Sequence, residues 1–166
     1  MEILIDKGYG EIRFSSFAVI EWLKKTGIPV WFYMDEKTNV TYVDGHSVFS
    51  ATYKKITEEE ALNKNISIIS ISTKDYGDIV DDYLRLVQKE NTEIKINHHQ
   101  FRDDPTMIEL FKKYGTIKMS SLGSTIALET IEKGKIVRLE NENGREKLRT
   151  IYDPTWDDGN IYYAEE

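Results

Sequence analysis

Three short segments of the chain carry residue types that could hold or transform a ligand. The densest is Asn97-His98-His99-Gln100-Phe101-Arg102-Asp103-Asp104-Pro105. A guanidinium forks onto a phosphate or carboxylate, and the free N–H groups of a helix start favour a nearby anion. Arg102 is therefore a candidate anion ligand, with His99 beside it. The same residues have a plainer reading, in which Asp104 caps a helix beginning at Pro105, Asp103 pairs with Arg102 and the histidines sit half-exposed in a loop. If the segment were catalytic, His98 or His99 would be the acid–base and Asp103 its orienter. A metal would draw on His98, His99 and Asp103 or Asp104. Neighbouring side chains of an extended strand point to opposite faces, which argues against one shared ion, and neither metal nor cofactor is expected.

The second segment is Lys7-Gly8-Tyr9-Gly10, with Arg13, Ser15 and Ser16 after it. Glycines expose backbone N–H groups, Lys7 and Arg13 add positive charge, and Ser16 opens a helix, which together are the ingredients of a phosphate cradle. Neither the Gly-Lys-Ser/Thr of a nucleotide-binding P-loop nor the dinucleotide fingerprint is present. A tight turn followed by a helix cap explains the same residues. Tyr9, set between two turn glycines, is expected to be exposed and able to stack on a base or ring. The third segment, Lys118-Met119-Ser120-Ser121-Leu122-Gly123-Ser124, offers Ser120 and Ser121 as hydrogen-bond donors to a phosphate, or is an ordinary loop. It contains no Gly-x-Ser-x-Gly elbow for a hydrolytic nucleophile.

Hydrophobic patterning supplies the elements that must position these residues. Ile3-Leu4-Ile5 reads as a strand ending at the first glycine loop, and residues 17–25 as a helix with Ser15 and Ser16 at its start and Gly27 as its stop. Residues 28–34 and 39–43 read as a hairpin across the polar turn 35–38, followed by a third short strand at 48–53. Thr57-Glu58-Glu59-Glu60 spells a capping box. The β-branched run 66–71 is the candidate centre of the sheet, 77–90 an amphipathic helix and 93–97 a strand, an order that permits a parallel pair with a crossover helix. After the helix from Pro105 to Gly115, runs at 126–132, 135–141 and 146–152 form a β-meander, its last turn at Asn143-Gly144. No linker, repeat or low-complexity segment interrupts residues 1–166, so a single domain is expected, ending in an acidic, aromatic tail at 153–166.

Composition narrows the function classes. The chain has 166 residues, 40% hydrophobic and 11% aromatic, enough apolar material for one packed core. With 22 Lys+Arg against 29 Asp+Glu its net charge is −7, and that field repels nucleic-acid polymers and anionic membranes. No cysteine is present, so thiol nucleophiles, disulfides and cysteine metal sites are excluded. No apolar run reaches the roughly 18 residues of a spanning helix, and the N-terminus opens as a strand, without a signal-peptide pattern.

The order of motifs carries a resemblance. Gly8-Tyr9-Gly10 with Ser15-Ser16, then Arg102-Asp103-Asp104-Pro105 followed by Ile108, Phe111 and Gly115, then Asn143-Gly144-Arg145-Glu146, resemble an uncharacterised family of small phage-encoded proteins. That family's pattern reads Gly-Tyr-Gly-Gly-Phe with a following Ser, later Arg-Thr-Asp-Pro, and Asp-Gly-x-Glu near the end. The chain departs from it at Glu11-Ile12, at Asp103 in place of Thr and at Asn143 in place of Asp; residues 30–56 and the tail after Tyr152 have no counterpart. The resemblance implies a phage or prophage origin and the cytoplasm of a bacterial host, and gives no activity.

The expected architecture is α/β, or α+β, with a mixed central sheet, three or four helices and a C-terminal antiparallel meander. The leading functional expectation is a non-catalytic binder that sequesters an anionic, nucleotide-derived ligand such as an immune signal. Its site would use Lys7, Gly8, Tyr9, Gly10, Arg13, Ser16, His99, Arg102, Ser120 and Ser121. The alternatives are a nucleotide-modifying enzyme using His98, His99 and Asp103, and an acidic inhibitor of a host defence protein acting through the tail. A homo-oligomer with sites between subunits is compatible with the first.

Overall fold

A computed structural model describes residues 1–152 and 159–165, with side chains described at all of these but Asn39, Val48 and Phe49. The elements run β1 (Glu2–Asp6), α1 (Ser16–Thr26), β2 (Trp31–Val43), β3 (His46–Ile56), α2 (Glu58–Leu62), β4 (Ile69–Ser72) and β5 (Ile79–Val80). They continue with α3 (Tyr83–Glu90), β6 (Glu93–Ile94), α4 (Pro105–Met119), β7 (Ile126–Thr130), β8 (Ile136–Glu142), β9 (Arg145–Ile151) and β10 (Ile161–Tyr163). The fold is α+β, with four helices among the described residues. Every strand pair among the described residues is antiparallel, where a mixed sheet was expected. No helix among the described residues is long and apolar enough to cross a membrane.

The chain divides into two compact units, Met1–Trp22 with Asn97–Glu166, and Leu23–Ile96. No composition shift marks the division, because the second unit is a folded insertion in the chain of the first.

In the first unit β1 pairs with β7 from Glu2↔Thr130 to Asp6↔Ile126. Ile3, Leu4 and Ile5 are all at most 2% exposed, so this short strand is covered on both faces. The run at 126–132 thus joins β1 and does not open the meander. The three-stranded C-terminal sheet has the order β10-β8-β9, with β10 supplied by the tail. Its inward residues Val137 and Leu139 join Ile3, Ile5, Ile131 and Ala164 in one core cluster, with Tyr162 and Leu148 packed on it. Tyr162 thus docks the aromatic tail on this cluster; Trp156 lies outside the described residues. In α4, Asp104 caps the start by accepting from the Met107 N–H at 2.7 Å, and Pro105 takes the first turn. The helix bends at Gly115 and continues to the buried Met119. Ser15, not Ser16, caps α1: its Oγ accepts from the Ala18 N–H at 3.1 Å.

The second unit is built on a five-stranded sheet of order β5-β3-β2-β4-β6. The hairpin turn is not at 35–38. There β2 continues through a bulge between Asp35 and Lys37, and the chain reverses at Asp44-Gly45, where both residues have positive φ (50° and 78°). That is the backbone a two-residue hairpin turn needs, and Asp-Gly adopts it readily. The centre of the sheet is β2; the run at 66–71 forms a 3-10 turn (Ile66–Ile68), capped by Asn65, before β4 begins. The expected helix at 77–90 starts later, because Ile79–Val80 pairs with Lys54 and Tyr53 as β5. Between β4 and β6 the chain therefore visits the opposite edge of the sheet, and β6 returns antiparallel to β4, not parallel. Buried Tyr33, Tyr83, Val80 and Val87 form one core cluster of this unit, flanked by Tyr53 and Tyr76. The Thr57–Glu60 capping box forms as spelled.

Candidate anion-binding cleft

The glycine loop of the first unit is held from beneath by Asp6, the last residue of β1. Its buried Oδ1 accepts from the Gly8 and Thr125 N–H groups, both at 2.8 Å. A Cβ on Gly8 would stand 3.0 Å from the Gly123 carbonyl oxygen and 3.1 Å from the Thr125 nitrogen, so only glycine lets these backbones approach. Fixed in this way, the loop presents Tyr9 outward, 67% exposed as expected. Gly10 donates to the Gly144 carbonyl at 3.3 Å, which ties the loop to the tip of the β8–β9 hairpin. Arg145 follows that tip, and its guanidinium lies 4.6 Å from the centroid of the Tyr9 ring, a cation–π contact.

Between loop and hairpin opens a cleft of about 440 Å³, lined by Lys7, Tyr9, Glu142, Asn143, Arg145, Glu146 and Lys147. Lys7 pairs with Glu129 at 2.8 Å and Lys147 with Glu142. Glu146 faces the buried Arg102. Arg145 is left as the cation of the cleft without a carboxylate partner among the described residues. A smaller cleft of about 270 Å³ lies on the other flank of Tyr9, lined by Gly10, Glu11, Arg13, Leu122, Gly123 and Ser124. Arg13 is exposed there, while its backbone is tied to the 118–124 loop: its N–H donates to Ser124 Oγ at 3.1 Å and its carbonyl accepts from Ser121 at 3.0 Å.

The expected contribution of Arg102 does not survive. It is 2% exposed, and its two Nη atoms reach the two oxygens of Glu146 at 2.7 and 2.5 Å. One Nη also donates to the Leu4 carbonyl at 3.3 Å. The fork that would have taken a phosphate is filled by a carboxylate of the chain itself, so Arg102 belongs to the scaffold. His99 is exposed, with Nδ1 at 3.2 Å from the same guanidinium. Ser16 is buried at the first helical position. Ser120 Oγ accepts from the Ile126 N–H at 2.9 Å, inside the scaffold, and Ser121 is fixed through its backbone. Of the sequence-derived set, Lys7, Tyr9, Gly10 and Arg13 line the two clefts, and Gly8 shapes them.

The alternative catalytic set is also dispersed. His98 Nδ1 accepts from the Phe14 N–H at 2.9 Å and its ring stacks parallel to Phe14. Burial, with help from Arg13 and His99, holds its pKa below the usual histidine value. Nδ1 is therefore unprotonated and engaged. Asp103 is exposed, and among the described residues no hydrogen bond or ion pair joins it to either histidine. No group of three or more metal-ligating side chains converges among the described residues.

The residues sequence reasoning missed are Arg145 and Lys147. The signal was present in Asn143-Gly144, a hairpin turn that must carry the next residues to a tip, but nothing in the sequence pairs that tip with Tyr9. Comparison with family models, curated proteins and solved structures finds no match to the chain.

Proposed function

We propose that the first unit binds a small anionic, nucleotide-derived ligand in the cleft between the Gly8–Gly10 loop and the β8–β9 hairpin, without turning it over. The observation that carries this reading is the Arg145 guanidinium over an exposed Tyr9 ring, with no acid partner among the described residues. A guanidinium–aromatic pair offers charge and a flat surface together, the two features of a nucleotide. Lys7 and Lys147 stand at the same cleft, and their exposed ion pairs are weak enough for a phosphate to compete with. Arg13 on the opposite flank of Tyr9 gives a second anionic group somewhere to go. The acid–base reading is less well supported, because His98 holds the backbone of Phe14 and neither His98 nor His99 has an orienting carboxylate among the described residues. In the phage setting that the motif order implies, holding such a ligand would withdraw a nucleotide signal from the host.

Isothermal titration with nucleoside mono-, di- and triphosphates and cyclic nucleotides tests this directly. At least one should bind with one-site stoichiometry per chain and lose affinity in Arg145→Gln and Tyr9→Ala. Equal affinity in both variants would place the ligand elsewhere.

A further inference from the structure

The second unit contains a separate cleft, of about 620 Å³, beside the start of α3. Its floor is one face of the β2–β3 ribbon. Asp35 and Tyr53 are cross-strand partners there, and Thr38 and Ala51 form a second pair beyond the bulge. Thr38 Oγ1 donates to Asp35 Oδ2 at 2.7 Å, holding that carboxylate. The wall is Asp82, Leu84 and Arg85. Tyr83, between them, turns inward with 0% exposure and stacks on Tyr53 at 4.6 Å, which fixes wall against floor. Asp82 makes no side-chain cap bond to α3. Among the described residues neither Asp82 nor Arg85 forms a side-chain hydrogen bond or ion pair, although they lie three apart on one wall.

This cleft thus holds unlike charges that do not neutralise each other, next to an apolar strip of Ala51 and the 41%-exposed Leu84. A plain anion would meet two carboxylates, and a plain amine would leave the guanidinium unmatched. Both signs are satisfied together only by a ligand that carries both. We propose that the cleft binds a small zwitterion of the α-amino-acid class, its ammonium on Asp35 and Asp82, its carboxylate on Arg85, and its side chain over Ala51 and Leu84. The volume is within the range of small-molecule sites. The proposal is independent of the anion cleft, from which it shares no residue.

Isothermal titration of the whole chain with the standard L-amino acids, one at a time, is the test. Asp82 and Arg85 are exposed, and Asn tolerates the left-handed backbone of Asp82 (φ 54°), so Asp82→Asn and Arg85→Gln should fold normally. At least one amino acid should bind one-to-one, and each variant should weaken it by about tenfold or more. The matching amine without the carboxylate, and the matching acid without the amine, should each bind more weakly than the amino acid. No binding by any amino acid, unchanged affinity in both variants, or equal affinity for the bare amine would each overturn the proposal.

Discussion

Arg102 and Glu146, 44 residues apart, meet in a two-pronged ion pair at 2.7 and 2.5 Å, with only 3% and 8% of their side chains exposed. Glu146 Oε2 also accepts from the Asp6 N–H at 2.7 Å. One carboxylate thereby joins the end of β1, the segment before α4 and the start of β9, the parts that frame the glycine loop. The pair is the buttress of the cleft beside Tyr9, and it accounts for an arginine that looked like a ligand contact.

Removing one partner strands the other charge in the interior. Glu146→Gln or Arg102→Met should each cost about 3–5 kcal/mol, and the double variant Arg102→Met/Glu146→Leu less than the sum of the singles. Urea unfolding of the three variants measures this. Additive losses would mean that the two side chains do not act as a pair.

Arg145 should behave oppositely. It lies at the hairpin tip against an exposed ring, so Arg145→Gln should change stability by no more than about 0.5 kcal/mol while weakening the nucleotide-derived ligand by about tenfold or more. Chemical denaturation and titration on the same preparation separate the two effects. A large loss of stability would reassign Arg145 to the scaffold.

Gly8 allows loop and neighbouring backbone to touch, and two of the three atoms a Cβ would crowd are backbone. Gly8→Ala should cost about 1–3 kcal/mol and reduce ligand affinity by displacing Tyr9. Unchanged thermal unfolding would show that the loop relaxes without strain.

His98 is half-buried and neutral, with a pKa below the usual histidine value because protonation would charge a ring packed on Phe14 and near Arg13 and His99. The unfolded chain takes up this proton at about pH 6.5, before the folded one does. The contribution of His98 is therefore complete above that pH and is lost as pH falls through the depressed folded value. Tm should drop more steeply below about pH 6.5 in the natural chain than in His98→Asn, whose amide oxygen can still accept from Phe14. Parallel Tm profiles would contradict this.

The sequence was most legible where a local rule decides the structure. Asp104-Pro105 marks the start of α4, Thr57 and Glu60 form their box, and Tyr9 between two glycines is exposed. It misled where two local signals competed: the polar stretch 35–38 looked like a turn, while Asp44-Gly45 had the backbone freedom to make the actual one. Ile79-Val80 fits a helix by spacing, and only pairing with Tyr53 and Lys54 makes it a strand. The candidate site was half legible for a related reason. The loop at Tyr9 is local chemistry, whereas the burial of Arg102 depends on Glu146 and the value of Arg145 depends on Tyr9, contacts over separations that no motif spacing encodes.

Native mass spectrometry of the full chain incubated with a nucleotide panel, beside Arg145→Gln, reads directly whether the Tyr9–Arg145 cleft holds a nucleotide-derived anion. An intact nucleotide adduct should form on the natural chain, be released unmodified on denaturation and be diminished in the variant. Apo masses across the whole panel, or an adduct equally abundant in both proteins, would contradict it.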